Sequence, residues 1–414
     1  MTTSASFNDA FESAVASGPE RLLPGVALGA ARALRKADAS EPDDFLAAFG
    51  TLQLDSTSPP VSTKTTVWLA SCTKLATAIA ALQCVERGLF SLDEPTDTDR
   101  LLPEWKNSVV LTGWNADEPI LQPAKERLTL RRLLTHTSGV GYDFLAADLV
   151  KWRQHRNEES LFMRTPITQC FATPLIFEPG SGFAYGGGLE LVGLMIARAN
   201  NCTLEAYMRQ YIFDVLGMDK TSFYVKHNNI EQELMPMTTR PAPDAALVPG
   251  NPPDMPLAQP LDPQDEFGGG GLFGSTEDYL VLLKSLLRND GKLLKAESIE
   301  LLFTPCIPPA AQESLDQTLS VPAYAAIMIP GDAPVGTPDG RKWSHALGGL
   351  VALEDDAEGG LKAGTLRWGG APNLKWWIDR KGGTCGIFAT QLLPAGETQH
   401  AHLGKIFERA VAAM

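Results

Sequence analysis

Ser71 and Lys74 stand three residues apart in Thr66–Gly88, a stretch that reads as a short apolar approach followed by a helix rich in Ala and Leu. On a helix that spacing puts both side chains on one face, with Cβ atoms about 5–6 Å apart. A serine hydroxyl one turn from a lysine amine suits nucleophilic acyl transfer: the amine takes the proton and the oxygen attacks a carbonyl carbon. The N-terminal end of a helix also favours developing negative charge. Gly88 is a natural stop, since glycine tolerates the left-handed conformation at a helix C-terminus. Between Lys74 and Glu86 the chain carries Leu, Ala, Ile and Val but no acid. A lysine buried there loses proton affinity and can serve as a base. The S-x-x-K pattern is short, however, and Ser71 could equally be a plain N-cap. The reading therefore needs partners.

A lysine base commonly works with Tyr, His or Asp/Glu. In Phe183-Ala184-Tyr185-Gly186-Gly187-Gly188, Tyr185 sits just before a helical pattern, and three glycines leave its phenol unobstructed. With 7 Tyr in the chain, a plain packing role stands beside the catalytic one. The second run is Leu366-Arg367-Trp368-Gly369-Gly370-Ala371-Pro372-Asn373. Glycines on a strand edge let a substrate approach the backbone. A free backbone N–H there could pair with that of Ser71 as an oxyanion hole. Cys72 reads as a small buried hydrophobe, because a cysteine nucleophile would need a partnered His nearby.

The elements that must position these residues can be read along the chain. Ser6 to Ser17 forms an amphipathic helix. Gly25–Ala33 and Phe45–Gln53 form a hairpin across a polar turn, and the Ser71 helix follows. Leu128–Gly139 reads as a short amphipathic helix, and helical patterns recur at 147–156, 189–199 and 204–215. The region from Leu92 shows few strand signals. Pro236–Pro263 is a long irregular loop. Phe267–Gly274 is dense in glycine. It lacks the Gly-Lys-Ser/Thr ending of a phosphate loop, so close backbone packing is expected. Ser275 caps a helix reaching about Leu287. Strands are expected at 347–354, 364–370, 374–379 and 383–392, as an antiparallel meander, before a last amphipathic helix from Glu397 to Met414. The expected domains are 1–94 with 276–414, an α/β (α+β) sheet domain, and 95–275, a mostly helical inserted lobe. A cleft between them is the place for a site.

The chain has 414 residues, 44% hydrophobic and 20% charged, which suits an ordinary globular protein. A net charge of −14 argues against nucleic acid and anionic membranes as partners. No apolar run approaches the roughly 20 residues that span a bilayer. Met1 to Ser17 carries neither a basic region nor a continuous apolar run, which predicts a cytoplasmic protein. Six scattered cysteines without C-x-x-C fit reduced thiols. No G-x-S-x-G elbow is present, which disfavours an α/β-hydrolase. Only His400 and His402 of the six His lie close together, so no metal site is expected. That pair reads as a solvated helix face.

S-x-x-K, then Tyr-Gly-Gly, then a strand with Trp-Gly-Gly is an order that resembles the serine β-lactamase and penicillin-binding superfamily, class C branch. The likeness covers nearly the whole chain. It is closest to the fungal lovastatin-type acyltransferases and the family VIII carboxylesterases. Leu69–Lys74, Ala81–Leu89, Leu133–Gly139 and Trp368–Asn373 carry it. The resemblance implies a class C β-lactamase-like fold, an antiparallel sheet flanked by helices. It implies that Ser71 is acylated, that Lys74 is the neutral base and that Tyr185 relays the proton. It places the oxyanion hole at the Ser71 and Ala371 N–H groups, and makes Tyr142 a candidate for lining the acyl pocket. His136 falls in a fold-defining run and reads as structural.

The departures from the family bear on substrate. β-Lactam-active members carry Tyr-x-Asn and Lys-Thr-Gly where this chain has Tyr185-Gly186-Gly187 and Trp368-Gly369-Gly370. Losing a charged hydrogen bond to a substrate carboxylate removes about 1.5–3 kcal/mol, whereas Trp368 favours apolar surface. The expectation is acyl transfer from a thioester or ester donor to an alcohol of a polyketide-like molecule, with simple ester hydrolysis as the alternative. Trp368, Gly369 and Gly370 would contact the substrate. No cofactor is expected, and an acyl carrier protein is a candidate donor partner.

Overall fold

The structure, a computed structural model, describes residues 5–33, 44–226, 230–252, 261 and 263–413. Its centre is a sheet of seven strands: β1 (Gly25–Arg32), β2 (Asp44–Gly50), β3 (Trp343–Ala346), β4 (Gly349–Ala352), β5 (Leu366–Gly370), β6 (Leu374–Asp379) and β7 (Thr384–Ala389). The order is β2-β1-β7-β6-β5-β4-β3, and every neighbouring pair is antiparallel. The N-terminal hairpin thus joins the C-terminal meander, with Ala27 opposite Ala389 and Arg32 opposite Thr384. The expected turn of that hairpin, 34–43, lies outside the described residues.

Five helices position the site: α1 (Ala5–Ala14), α2 (Thr73–Glu86), α3 (Gly188–Asn200), α4 (Thr276–Arg288) and α5 (Thr398–Ala412). The period-2 alternation of the strands divides them between the two faces of the sheet. Trp377 and Phe388 pack with Phe7, Phe11 and Phe407 of α1 and α5. Trp376, Ile378 and Ile387 face the larger core that holds α2 and α4. On α5 the buried residues are His400, Leu403, Gly404, Phe407, Glu408 and Val411, an i, i+3, i+4, i+7 stripe. This corrects the solvated reading of the histidine pair. His402 is exposed, but His400 is only 1% exposed, because two residues along a helix turn the side chain about 200°.

Other differences have local causes. The helix expected over 128–139 is shorter, Leu130–Leu134, and His136 ends it with φ +57°. A hairpin, Val109–Asn115 with Glu118–Pro123, was not anticipated. Its signal was the run Val109-Val110-Leu111 before the turn residues Asn115-Ala116-Asp117. Helices Ala296–Phe303, Pro309–Ser320 and Pro322–Met328 were also missed. Two of them open with Pro, which is favoured in a first helical turn. Within the loop expected at 236–263, Thr238–Thr239 and Val248–Pro249 form a small sheet with Leu392–Leu393. Residues 253–260 and 262 of that loop lie outside the described residues, as does Met414.

Candidate active site

Ser71 occupies a single tight turn, Ala70–Cys72, that runs straight into α2. Ala70 adopts φ +45°, a left-handed conformation that a residue with a Cβ holds only under restraint. The restraints are visible. Cys72 N–H donates to Leu69 O at 3.0 Å and Thr73 Oγ1 to Ala70 O at 2.6 Å. Tyr279 OH, from α4, donates to Cys72 O at 2.8 Å.

Lys74, 6% exposed, extends along the same face. Its Nζ donates to Ser71 Oγ at 3.1 Å, Tyr142 OH at 3.3 Å and Gly269 O at 2.6 Å. Ser71 Oγ lies 2.5 Å from Tyr185 OH. Ser71 Oγ is therefore within hydrogen-bond reach of both other residues singled out from the sequence, although Tyr185 is 114 positions from Ser71. The amine sits 4.7 Å from the centre of the Tyr185 ring.

The glycine-rich run packs as expected, and it also reaches the site. A Cβ on Gly269 would fall 2.3 Å from Glu190 Oε1, and one on Gly268 2.7 Å from Leu189 O. The bare backbone brings Gly269 O against Lys74. Trp68 Nε1 donates to the next carbonyl, Gly270 O, at 2.7 Å.

Glu190 was missed. The sequence around Lys74 offers no acid, but α3 delivers one. Glu190 is fully buried, and Tyr142 OH donates to its Oε1 at 2.9 Å. Its Oε2 has no hydrogen-bond partner. Burial pushes this carboxyl above the usual range, with the Lys74 charge acting in the other direction. Burial also holds the Tyr142 phenol well above its ordinary value, so Tyr142 remains a donor to Glu190 while accepting from Lys74. The available signal was one acid alone among the apolar residues of Leu189–Ile196. Tyr142, a pocket candidate from the sequence, is also a direct neighbour of the lysine.

The glycines after Tyr185 do more than clear space around the phenol. Added Cβ atoms at Gly186, Gly187 and Gly188 would meet Val140 O at 2.0 Å, the Phe171 ring at 2.0 Å and Leu133 O at 2.2 Å. Three elements press on this turn and fix the phenol. His136 adds to that: its Nδ1 accepts from Gly186 N–H at 3.4 Å. Its ring lies 4.9 Å from Tyr185 and stacks on Trp368 at 6.2 Å. Burial lowers the pKa of His136 well below the ordinary value and that of neighbouring His345 to about 4, so both rings are neutral. His136 is a structural residue in this arrangement.

Trp368, on β5, is 7% exposed and lies 5.3 Å from the Tyr185 ring. A Cβ on Gly370 would meet Leu69 O at 2.5 Å, so the strand end presses on the Ser71 turn. Trp368, Gly369, Gly370 and Ala371 all border one cavity of about 500 Å³ that also takes in Ser71, Tyr142 and Tyr185. Its far wall comes from the helix Pro322–Met328 and the start of α5. Cys72 packs beside the site, and burial drives its thiol pKa up, away from reactivity. All six cysteines are unpaired. Among the described residues no cluster of three or more His, Cys, Asp or Glu side chains comes together, and no helix is long and apolar enough to cross a membrane.

This antiparallel sheet flanked by helices is the fold of an enzyme of the serine β-lactamase superfamily. The chain belongs to the β-lactamase family, whose family model matches residues 43–410. It is 38% identical to lovastatin esterase from Penicillium rubens over 350 residues, 83% of this chain and 84% of that protein. It is 35% identical to monacolin J acid methylbutanoyltransferase from Aspergillus terreus, covering 86% of this chain and 84% of that one. A mutant of simvastatin synthase from Aspergillus terreus superposes with a TM-score of 0.86, at 33% identity, covering 98% of this chain and 94% of that one.

Proposed function

We propose that the protein is a serine acyltransferase that moves an acyl group from a thioester or ester donor to an alcohol of a polyketide-like small molecule. One observation carries this: Ser71 Oγ lies 3.1 Å from Lys74 Nζ and 2.5 Å from Tyr185 OH on the wall of a largely apolar cavity. Ser71 Oγ attacks the donor carbonyl as its proton passes to neutral Lys74. In this step the amine keeps its donations to Gly269 O and Tyr142 OH, and its lone pair takes the place of the N–H that meets Ser71 Oγ at 3.1 Å. The oxyanion is stabilised by the Ser71 and Ala371 N–H groups. As the tetrahedral intermediate collapses, Tyr185 protonates the departing thiolate or alkoxide and is reprotonated through Lys74. In the second half the acceptor alcohol attacks the acyl-Ser71 carbonyl as its proton passes through Tyr185 to Lys74, and Lys74 returns that proton to Ser71 Oγ as the ester bond to the serine breaks.

The cavity draws Ser71 and Trp368 from the proposed sheet domain, 1–94 with 276–414, and Tyr142 and Tyr185 from the proposed lobe, 95–275. Trp368, Gly369, Gly370 and Tyr142 supply the substrate contacts in this reading. Trp368 in place of a lysine disfavours a β-lactam carboxylate. The donor is a small thioester or ester, or an acyl carrier protein, and the unpaired cysteines support a reducing, cytoplasmic setting. The likeness to lovastatin esterase from Penicillium rubens favours a second reading, hydrolysis with water as acceptor. The two separate in one experiment: an acyl thioester mixed with candidate alcohols, followed by mass spectrometry of the products. Transfer predicts new ester in excess over free acid. Free acid alone, with every alcohol, overturns transfer in favour of hydrolysis.

A further inference from the structure

The proposed acyl-transfer steps leave one buried acid near Ser71 without a task. Glu190 stands in the first turn of α3 and is fully buried. Burying a carboxyl is costly unless something compensates its charge. Two neighbours tie it to Lys74. Tyr142 OH donates to Glu190 Oε1 at 2.9 Å and accepts from Lys74 Nζ at 3.3 Å. Gly269 is the other neighbour. Its carbonyl accepts from Lys74 Nζ at 2.6 Å, while a Cβ on it would fall 2.3 Å from Glu190 Oε1 and 2.4 Å from Oε2. One glycine therefore holds the amine through its carbonyl and makes room for the carboxyl by having no side chain.

The other titratable groups facing this pair come from several elements. Cys72 belongs to the Ser71 turn, and His136 and Tyr142 to the loop after Leu130–Leu134. Tyr185 precedes α3, and Cys170 ends the short helix Ile167–Cys170. Burial pushes the Tyr142 phenol and both thiols up and the His136 imidazole down, so these four stay uncharged around neutral pH. Tyr185 is a phenol hydrogen-bonded to Ser71. The glycine run Phe267–Gly274 carries no titratable side chain. Lys74 and Glu190 are thus the opposite charges that this cluster holds. When Ser71 attacks, its proton turns the Lys74 amine into an ammonium, and a cation formed in a buried site needs an opposite charge close by. A carboxyl ionises far below the pH at which an amine loses its proton, so the anion is in place when the base acts.

We propose that Glu190 is a positioning residue for Lys74: its carboxylate stabilises the ammonium that forms as Ser71 attacks and, through Tyr142 OH, orients the amine. This role rests on the acyl-transfer reading of Ser71 and Lys74 and adds a further group to it. The effect has two sides. A nearby carboxylate makes the amine a stronger base, which raises the limiting rate at high pH. It also favours the ammonium before the attack, so the reactive neutral amine is reached only at higher pH. Removing the charge should lower the limiting rate and at the same time move the acid limb of the pH profile downward. A side chain that merely packed would change the rate without moving the limb.

The test is the pH profile of kcat/KM for a p-nitrophenyl ester, whose leaving group departs without a proton, so that the acid limb reports the base. Glu190→Gln keeps the size of the side chain and an acceptor for Tyr142. Its limb should move down by about 1–2 pH units, while its limiting kcat/KM falls about tenfold. Glu190→Met, which buries neither a charge nor a polar group, is a second neutral variant and should move the limb the same way. Glu190→Asp keeps the charge and should leave the limb within about half a unit of wild type. The position of the limb does not depend on how much of a preparation is folded, so a destabilised variant still gives a result. A limb that stays in place or moves up in the neutral variants overturns the role of Glu190, whatever rate is lost. A limb that moves as far in Glu190→Asp as in Glu190→Gln overturns it equally. Ser71→Ala, measured alongside, separates the two readings. If it is inactive and the limb of the neutral variants has not moved, acyl transfer stands and the role of Glu190 falls. If it turns over the ester as wild type does, the acyl-transfer reading falls first.

Discussion

Two buried polar clusters can be compared directly, one around Ser71 and one around Asp332. The Asp332 cluster is ionic and closely paired. Arg367 Nη1 reaches Asp332 Oδ2 at 2.6 Å, Arg341 Nη2 reaches Oδ1 at 2.8 Å, and Lys375 Nζ lies 2.7 Å from Glu408 Oε1. Those cations hold the Asp332 carboxyl well below the ordinary range against the opposing effect of burial. The Ser71 cluster is mostly hydroxyls around one amine and one carboxyl. It has an unpartnered oxygen at Glu190, a left-handed alanine at its start and a cavity in front of it. Both are buried and polar, and each holds an atom without a hydrogen-bond partner, Arg367 Nε in the first and Glu190 Oε2 in the second, but only the Ser71 cluster opens onto a cavity that a substrate can enter. Opposite charges set against one another inside the core serve a scaffold, whereas hydroxyls and an amine facing a cavity mark chemistry.

Substitutions can break this comparison. The largest expected effect is on rate at the Ser71 cluster. Lys74→Ala and Tyr185→Phe should each slow acylation by p-nitrophenyl esters by about 10²–10⁴-fold, the range for a positioned acid or base. Their urea midpoints should stay close to wild type. A loss under about tenfold would make either residue structural. At the other cluster the effect should fall on stability. Asp332→Asn leaves Arg367, Arg341 and Lys405 short of a counter-ion and should cost about 3–5 kcal/mol by urea unfolding. If it left stability intact and removed activity, the contrast between the clusters would be inverted.

Smaller effects sharpen the comparison. Tyr142→Phe removes one of the acceptors of Lys74 and the donor to Glu190, and should lower kcat/KM about tenfold, or roughly 1.4 kcal/mol. An unchanged kcat/KM would reduce Tyr142 to a pocket wall. The smallest effect is on pH dependence. The unfolded chain protonates His400 near 6.5, whereas the folded chain does so only near 3. The unfolded state therefore binds more protons in that window, and stability present above 6.5 is lost as pH falls. His400→Phe should make the loss between pH 7 and pH 5 smaller by about 2 kcal/mol, that is, about 1.5 pH units at 1.36 kcal/mol each. An identical slope in wild type and variant would mean that His400 is not buried in its neutral form.

Much of the site is legible in the sequence because its residues announce themselves locally. Ser71 and Lys74 share one helical turn. Tyr185 and Trp368 each precede glycines, which crowded packing at Gly186, Gly187 and Gly370 requires. Trp343–Ala346 was not anticipated, but the other six of the seven sheet strands are legible from alternation and turns. Glu190 and His400 are not, because their surroundings are assembled from distant segments. Glu190 meets Tyr142 across 48 positions, and His400 joins a cavity wall shared with the unanticipated helix Pro322–Met328. His136 reads as structural from its fold-defining run, but only folding shows that it lies against Tyr185 and Trp368.

The most direct test is intact-protein mass spectrometry of the enzyme mixed briefly with an acyl thioester or a p-nitrophenyl ester, followed by peptide mapping. The account predicts one added acyl group on the peptide that contains Ser71, absent from Ser71→Ala. An acyl group on any other residue, or undiminished turnover by Ser71→Ala, would contradict it.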